Sequence, residues 1–319
     1  MITVVIPVYK SEDCLNELVK RLTSVLNGFA KTYEIVLVND CSPDNSWSKI
    51  VELCKVYDRL KGINLRRNFG QDCAIMAGLN NSSGEYVIIM DDDLQHDPKD
   101  IPTLLDGLER GYDVCYAFFE SKKQSWFKNL GSWFNGKVAE IVIKKPKEVY
   151  LSPYKAIRRG VIDEIIKYDG PYPYVDGLIF RVTRNITQVK AEHHERYAGH
   201  GNYNLVKSIR VWLRLATNFS VIPLRIATIL GFVSSLFGFA FALYLIILHF
   251  VKKGGPLGWA SLIVTVLFLG GVQLISIGVV GEYIGRLFLY NSKEPQFIVK
   301  YVISKEKIAG ETNFDKIHP

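Results

Sequence analysis

The chain has 319 residues, a formal net charge of +7 and 48% hydrophobic residues, which allows one large globular domain with an appendage. The positive charge favours a membrane surface or phosphate ligands as partners and disfavours nucleic acid. The five cysteines fall at no metal-ligand spacing and are predicted to be reduced, buried thiols of a cytosolic domain. Met1 leads directly into an apolar run with no basic segment before it, which argues against a signal peptide.

Strand-like and helix-like segments alternate along the chain up to residue 118. The first helical pattern places apolar residues from Leu15 to Leu26 on one face and stops at Gly28. This alternation predicts an α/β domain with a mostly parallel sheet that helices cover on both faces. Neither a Walker spacing nor a GxGxxG fingerprint occurs, which disfavours an NTPase or a dehydrogenase. The strands are predicted at residues 2–8, 34–39, 62–65, 87–90 and 113–118.

Three consecutive carboxylates follow the fourth predicted strand. The segment reads Asp91-Asp92-Asp93-Leu94-Gln95-His96-Asp97-Pro98. Asp91 and Asp93 are two residues apart on an extended chain and should point the same way. They could share one hard divalent cation and leave room on it for the oxygens of a diphosphate. A solvated acidic turn is the alternative, but the buried strand before the carboxylates favours the metal–diphosphate interpretation, because open α/β sheets bind ligands at such strand ends.

Two segments in the middle of the chain are rich in basic residues or histidine. Residues 119–150 combine lysines with tryptophans and phenylalanines, which is typical of an amphipathic helix on a membrane surface but also fits an ordinary solvated helix. Three histidines, His193, His194 and His200, lie in the segment 186–203. A zinc site is disfavoured there, since no cysteine or carboxylate accompanies them at a metal-site spacing.

The last third of the chain is predicted to enter a membrane. Two long stretches lack any formally charged residue, and each could span a hydrocarbon core of ~30 Å. A buried hairpin in a soluble protein is the alternative, and two uninterrupted spans of this length disfavour it. The predicted organisation is a catalytic domain over 1–202, an interfacial amphipathic helix over 203–225, transmembrane helices over 226–251 and 256–281, and a tail over 282–319.

Two spans would place the N-terminal domain and the tail on the same side of the membrane. Arginines beside the spans and lysines in the tail assign that side to the cytoplasm, so the prediction is a multi-pass protein of the inner (cytoplasmic) membrane. Lys252 and Lys253, between the spans, lie on the wrong side for this rule. The missing signal peptide outweighs them. The segment from Pro295 to Val299 could add a short strand, and the hairpins of several protomers could pack into a homo-oligomer.

Four motifs in order resemble glycosyltransferase family 2, which has the Rossmann-like GT-A fold. They read Val5-Ile6-Pro7-Val8-Tyr9, Val38-Asn39-Asp40-Cys41-Ser42-Pro43-Asp44, Arg67-Asn68-Phe69-Gly70 and Asp91-Asp92-Asp93-Leu94-Gln95-His96. The last motif, Arg196-x-x-Gly199 and the hairpin are similar to the polyprenol-phosphate glycosyltransferases, such as dolichol-phosphate mannose synthase and bactoprenol glucosyltransferases. The resemblance covers about residues 1–300.

This resemblance implies an inverting transfer of a sugar from a nucleoside diphosphate sugar, with UDP favoured over GDP, to a polyprenyl (undecaprenyl) phosphate. It implies that Mg²⁺ or Mn²⁺ is bound by Asp91, Asp93 and Gln95, and that Asp91, Asp93 and Arg196 are catalytic. Asp40 would contact the nucleotide base or ribose, whereas Arg196, Lys128 and Ser132 would meet phosphates. The substrate-binding residues that it implies are Pro7, Tyr9, Asp40, Asn68, Gly70, Asp92, Gln95, Lys128, Ser132 and Tyr203.

The chain departs from the family pattern at two places, both on the acceptor side. The usual Arg-x-x-Gly-x-Ser-Lys-Tyr lacks its serine and lysine between Arg196 and Tyr203. Where many members have Asp-Phe-Arg, this chain reads Ser152-Pro153-Tyr154-Lys155. These changes bear on acceptor contacts and sugar preference, whereas the reaction class depends on the other motifs.

A general base is not obligatory for a phosphate acceptor, whose second pKa of about 6 leaves it largely ionised at neutral pH. If a base exists, the candidates are Asp92, Asp97 and Asp176. One alternative function is transfer to a hydroxyl of a saccharide or glycolipid, which should need a clear base. Another is a non-catalytic membrane protein that recruits sugar nucleotides, which the complete set of carboxylates disfavours.

Overall fold

The computed structural model describes residues 1–29, 31–119, 149–191, 222–251, 258–292 and 294–306. The chain divides into two compact units. One consists of Met1–Asn202 with Lys293–Pro319, and the other of Tyr203–Ser292.

Eight strands of the first unit form a single sheet. They are β1 (Ile2–Val8), β2 (Tyr33–Asn39), β3 (Leu60–Leu65), β4 (Tyr86–Ile89), β5 (Val114–Phe118), β6 (Lys155–Arg158), β7 (Ile186–Lys190) and β8 (Val299–Ser304). Their order across the sheet is β7-β5-β6-β4-β1-β2-β3-β8. The pairs β1–β2, β2–β3, β1–β4 and β5–β7 are parallel, whereas β6 and β8 pair antiparallel with their neighbours. The predicted mostly parallel sheet is therefore confirmed.

Helices cover both faces of this sheet. Successive side chains of a strand point to opposite faces, so the buried strands present apolar side chains to helices on both sides. The helices are α1 (Leu15–Leu26), α2 (Ser46–Val56), α3 (Gln71–Asn80), α4 (Ile101–Glu109), α5 (Arg159–Ile165) and α6 (Val175–Val182). Helices α1, α2 and α4 share one core with Ile2, Val4 and Ile6 of β1. Helix α3 packs on the opposite face, where a Cβ on Gly78 would lie 2.3 Å from Val5 Cγ1. Only glycine allows this close approach of helix and strand.

The strand order reverses at β1. The chain builds β2 and β3 on one side of β1 and then crosses to the other side for β4. A crevice forms outside the carboxyl ends of the strands at such a topological switch point, and open α/β sheets bind their ligands there. The three predicted carboxylates directly follow β4 and therefore lie at this point.

Two local predictions need correction. Cys14, Cys54, Cys73 and Cys115 are buried free thiols as predicted, but Cys41 is exposed, because it lies in the loop after β2 with a positive φ of 50°. The tail does add a strand, but β8 begins where the predicted segment 295–299 ends and pairs antiparallel with β3.

The second unit contains two long apolar helices, α7 (Ile222–Val251) and α8 (Trp259–Asn291), which contact each other. Their windows Leu224–Phe241 and Phe268–Asn291 have mean hydropathies of 1.8 and 1.4 and are long enough to cross a membrane. Only 6% and 0% of these windows are buried, whereas a core helix of a soluble protein would be covered. Helix α8 continues beyond the predicted span end at residue 281, so the boundaries of the membrane segments remain a prediction.

Candidate active site

Four loops meet at the carboxyl ends of β1, β2, β3 and β4. Polar contacts join them in sequence around the crevice. The backbone N–H of Lys10 donates to Ser42 Oγ at 2.8 Å, joining the first two loops, and Asn39 Nδ2 donates to Asn64 Oδ1 at 2.8 Å between β2 and β3. The structure therefore brings together the predicted site residues that lie within its described ranges. These are Pro7, Tyr9, Asp40, Asn68, Gly70, Asp91, Asp92, Asp93 and Gln95.

Asp92 bridges the switch point between β4 and β1. Its Oδ2 accepts hydrogen bonds from Ser11 Oγ at 2.5 Å and from the backbone N–H of Tyr9 at 3.1 Å. Burial raises the pKa of Asp92 to about 6 in spite of these donors. The side chain thus fixes the loop after β1 against the carboxylate turn, which gives it a positioning role at the crevice.

Asp91 is held from both sides of the turn. Its Oδ1 accepts from Gln71 Nε2 at 2.7 Å, and its backbone N–H donates to His96 Nδ1 at 3.4 Å. His96 is buried and stacks on Tyr154 and Phe119, with ring centroids 5.1 and 5.6 Å away. The sequence alone gave no reason to select Gln71, which begins α3 and reaches across to the end of β4.

The turn itself is tight and strained. The backbone N–H of Gln95 donates to Asp93 Oδ1 at 3.1 Å, and Leu94 between them has a φ of 60°. A left-handed conformation costs a non-glycine residue about 1–2 kcal/mol. Leu94 is buried in the main core, so packing holds this conformation in place. Gln95, a predicted metal ligand, follows directly in a half-buried position.

Negative charge is concentrated around Asp91 in this turn. Burial and, after it, the charges of Asp93 and Asp92 raise the pKa of Asp91 to about 7. A desolvated carboxylate beside other negative charges fits a hard divalent cation, because oxygen donors suit Mg²⁺ and Mn²⁺ and the cation would offset the repulsion.

The described residues contain no group of three or more His, Cys, Asp or Glu side chains that could hold a metal ion by itself. This arrangement also fits the expected chemistry, because Mg²⁺ is usually bound by one or two carboxylates and completes its shell with water and substrate phosphates. Asp91 and Asp93 would therefore hold the cation together with a diphosphate ligand.

Asp40 secures the loop after β3. Its two oxygens accept from the backbone N–H groups of Phe69 at 2.7 Å and Gly70 at 2.8 Å. Burial raises the pKa of Asp40, and these two donors offset the rise only in part. Gly70 has a φ of 95°, which explains why the motif ends in glycine. The contact of Asp40 with the base or ribose remains a prediction, whereas its contact with the loop is direct.

A second group of charged residues lies beside the turn. The sequence did not predict that these residues contact one another. The Lys155 ammonium forms a salt bridge with Asp176 Oδ1, which also accepts from Tyr116 Oη at 2.8 Å. Lys155 is only 3% exposed. Nearby, Asp72 accepts from the backbone N–H of Val175 at 3.1 Å, and burial raises the pKa of Asp72 to about 6.

The three candidate bases therefore have different surroundings. Asp176 is in a buried ion pair, and Asp92 supports the loop after β1. Asp97 Oδ1 accepts from the backbone N–H of Lys99 at 3.0 Å and so caps the short helical turn Pro98–Asp100. None of these contacts assigns a general base.

Several predicted residues lie outside the described part of the chain. They are Lys128, Ser132, the histidines at 193, 194 and 200, Arg196 and Tyr203, together with the basic segment 120–148 and the amphipathic segment 203–221. Their proposed contacts with phosphates and with the membrane surface remain predictions.

Residues 3–166 match the model of glycosyl transferase family 2. The chain belongs to this family. Residues 222–287 match a second model, the GtrB C-terminal hairpin, which covers α7 and most of α8. The predicted glycosyltransferase enzyme, its GT-A fold and its resemblance to the polyprenol-phosphate group are confirmed.

Two curated relatives align along nearly the whole chain. The undecaprenyl-phosphate 4-deoxy-4-formamido-L-arabinose transferase of Edwardsiella ictaluri is 34% identical over 308 residues, which is 95% of this chain and 94% of the relative. An uncharacterized glycosyltransferase of Synechocystis is 35% identical over 303 residues, which is 93% and 94% of the two chains.

Solved structures support the fold of the first unit. Glucosyl-3-phosphoglycerate synthase of Mycobacterium tuberculosis matches with a TM-score of 0.51 and 17% identity, over 68% of this chain and 78% of that chain. A complex of the same enzyme with Mn²⁺, UDP and phosphoglyceric acid matches with a TM-score of 0.52 and 16% identity, over 68% and 76%. At this level of identity, the likeness shows a shared fold.

Proposed function

We propose that this glycosyltransferase transfers a sugar from a UDP-sugar to undecaprenyl phosphate at the cytoplasmic face of the inner membrane, with Mg²⁺ or Mn²⁺ and with inversion at the anomeric carbon. The observation that carries the proposal is the Asp91 carboxylate at the switch point, which burial desolvates, which accepts from the neutral amide of Gln71, and which lies beside the charges of Asp92 and Asp93. This concentration of negative charge suits a divalent cation bound with a diphosphate.

On the donor side, Asp91 and Asp93 would hold the cation, with Gln95 beside them. A bound divalent cation would stabilise the negative charge that develops on the departing diphosphate. Asp92 keeps Tyr9 in place at the crevice, and Asp40 keeps Asn68 and Gly70 in place through the loop that it anchors. The Mn²⁺ and UDP bound to the mycobacterial synthase are consistent with this arrangement on the same fold.

On the acceptor side, support comes from the relative in Edwardsiella ictaluri, which is named for undecaprenyl phosphate and aligns over 95% of this chain. A lipid phosphate is largely ionised at neutral pH and can attack the sugar without a dedicated base. Arg196, with Lys128 and Ser132, would bind its phosphate, because a guanidinium forms paired bonds with phosphate oxygens. Tyr203 would add a contact to the substrate.

The membrane arrangement follows from the two uncovered apolar helices and the rule on positive charge. Helices α7 and α8 would span the bilayer and return the chain to the side on which it began. The first unit would then face the cytoplasm, where nucleotide sugars are made available. An anchor of this kind would keep the enzyme at the membrane that contains its lipid acceptor.

The test uses purified full-length protein in detergent with undecaprenyl phosphate, Mg²⁺ or Mn²⁺, and a panel of labelled UDP-sugars. We expect label from one donor to enter the organic phase, and EDTA or Asp93→Asn to abolish its transfer. Mild acid should release the sugar from the lipid product. If no lipid is labelled while a saccharide acceptor stimulates UDP release, the enzyme transfers to a hydroxyl and the proposal is wrong.

A further inference from the structure

The C-terminal strand β8 lies beside the loop that Asp40 anchors. The backbone N–H of Arg66, the first residue of that loop, donates to the carbonyl oxygen of Ile298 at 2.9 Å. Val299 pairs with Leu65 at the end of β3, and the register shifts between Asn64 and Leu65. The hydrogen-bonded ladder between the tail and β3 therefore extends past the strand to the start of the loop.

The other end of the loop has its own anchor. Asp40 accepts from the backbone N–H groups of Phe69 and Gly70. Between the two anchors, the side chains of Arg66, Arg67 and Asn68 are exposed. The Arg67 guanidinium lies 4.6 Å from the centre of the Phe69 ring, which limits its motion. A loop fixed at both ends loses less conformational entropy when it binds a ligand.

The tail is itself firmly attached to the first unit. Gln296 is buried, and its side-chain amide donates to the carbonyl oxygen of Tyr168. Ile303 is 3% exposed and packs over Gly62, where an added Cβ would lie 2.9 Å from Ile303 Cγ1. The tail residues that make these contacts lie beyond residues 3–166 and 222–287, the ranges that the two family models match.

We propose that residues 296–299 are a positioning element of the donor site, which holds the start of the 66–70 loop in the geometry that receives the nucleotide. The inference rests on the proposed function, in which Asn68 and Gly70 contact the donor. It adds that the tail after the second apolar helix determines the affinity for the donor, although this segment is far in sequence from the other donor motifs. The Asp91–Asp93 turn follows a different strand, so metal binding should not depend on the tail.

The decisive comparison is Arg66→Pro with Arg66→Ala in the full-length protein. Both variants lose the guanidinium, but only proline also removes the N–H that donates to Ile298. We expect the proline variant to bind UDP in the presence of Mn²⁺ about threefold to tenfold more weakly than the alanine variant, as measured by calorimetry, because one hydrogen bond of the loop is lost. The affinity for Mn²⁺ alone, followed by its paramagnetic resonance signal, should be equal in the two.

A matched pair in the tail separates positioning from general stability. Replacing Ile298 and Val299 by glycine leaves the loop sequence intact but loosens the strand beside it, so UDP affinity should fall. Ile303→Ala lies at the other end of β8 and should lower the unfolding temperature with UDP affinity unchanged. The glycine pair also provides the comparison if Arg66→Pro does not fold.

The outcomes distinguish this inference from the proposed function. If UDP binds equally to the proline and alanine variants, or if Ile303→Ala weakens UDP as much as the glycine pair does, the tail has only a stabilising role and the inference is wrong. If the wild-type protein binds neither UDP nor GDP with Mn²⁺, the proposed function fails first, and the inference fails with it.

Discussion

Two groups of carboxylates lie at the same edge of the sheet and differ in how their charge is balanced. In the group around β6, the buried ammonium of Lys155 contacts Asp176, and Tyr116 donates to the same carboxylate oxygen. In the turn after β4, Asp91 has a neutral donor, Gln71, and two negative neighbours, Asp92 and Asp93. Asp176 therefore has its counter-ion within the fold, whereas the side chain that donates directly to Asp91 is neutral.

The balance of charge distinguishes a structural carboxylate from a functional one better than burial does. Both groups are desolvated, and buried charge is costly unless it is compensated. The fold supplies the compensation for Asp176 from the neighbouring strand β6. For Asp91 it supplies the neutral amide of Gln71 and a more distant attraction from Lys155, which ranks below burial and the charges of Asp93 and Asp92 in its effect on the pKa of Asp91. The turn is therefore the group that should respond to a ligand.

The largest expected effect is the loss of transfer activity after a substitution in the Asp91–Asp93 turn. We expect Asp93→Asn to reduce transfer activity by about a thousandfold, because the neutral amide holds a divalent cation poorly and the departing diphosphate loses its electrostatic partner. The unfolding temperature should stay the same or rise, since a repulsive charge is removed. Asp106→Asn, at an exposed position on α4, is the control and should keep full activity. A stable Asp93→Asn protein with wild-type activity would remove the turn from the mechanism.

The balanced group should give the next largest effect, on stability. Lys155→Met leaves Asp176 buried without its cation and should lower the free energy of unfolding by about 3 kcal/mol. Lys167→Met is the matched control, because it breaks an exposed pair with Glu164 and should cost less than about 1 kcal/mol. Denaturant unfolding in detergent measures both. Adding Asp176→Asn to Lys155→Met should recover part of the loss, and a loss of the same size in the control would contradict the comparison.

The sequence predicted one of these groups and not the other, for a physical reason. Three carboxylates at a strand end are a local pattern, and hydrophobic periodicity was enough to place them at the edge of a parallel sheet. The pair of Lys155 and Asp176 depends on β6 entering antiparallel between β4 and β5, and strand order is not contained in local periodicity. The side chain of Gln71 reaches Asp91 for the same nonlocal reason.

The loops show a similar limit. The sequence placed Asp40 at the site, but its hydrogen bonds to Phe69 and Gly70 depend on how the loop after β3 folds back. Cys41 was predicted to be buried because cysteine usually is, yet the chain turns outward there with a positive φ. The tail strand was expected from a short apolar run, and its true bounds are set by pairing with β3.

The pH dependence of stability should also distinguish the two carboxylate groups. The expected effect is smaller than those above. Since burial and neighbouring charge raise the pKa of Asp91 to about 7, above about 3.9 in the unfolded chain, the folded state binds the extra proton between these values. Metal-free protein should therefore lose stability as pH rises from about 4 to 7, which would appear as a fall in unfolding temperature. Asp91→Asn should lack this contribution, and Mn²⁺ should offset it. An unfolding temperature that rises equally in wild type and Asp91→Asn over this range would refute the assignment.

The smallest expected effect comes from a neutral member of the balanced group. Tyr116→Phe removes the hydroxyl that donates to Asp176 at 2.8 Å but leaves the salt bridge with Lys155. Because the carboxylate keeps its cation, the loss should be that of one hydrogen bond, about 1 kcal/mol in the free energy of unfolding. Transfer activity and Mn²⁺ affinity should stay within about twofold of wild type, since the carboxylate turn keeps all its contacts. A loss of stability as large as that of Lys155→Met would mean that the hydroxyl, and not the ammonium, balances Asp176. The two carboxylate groups would then differ in hydrogen bonding instead of charge.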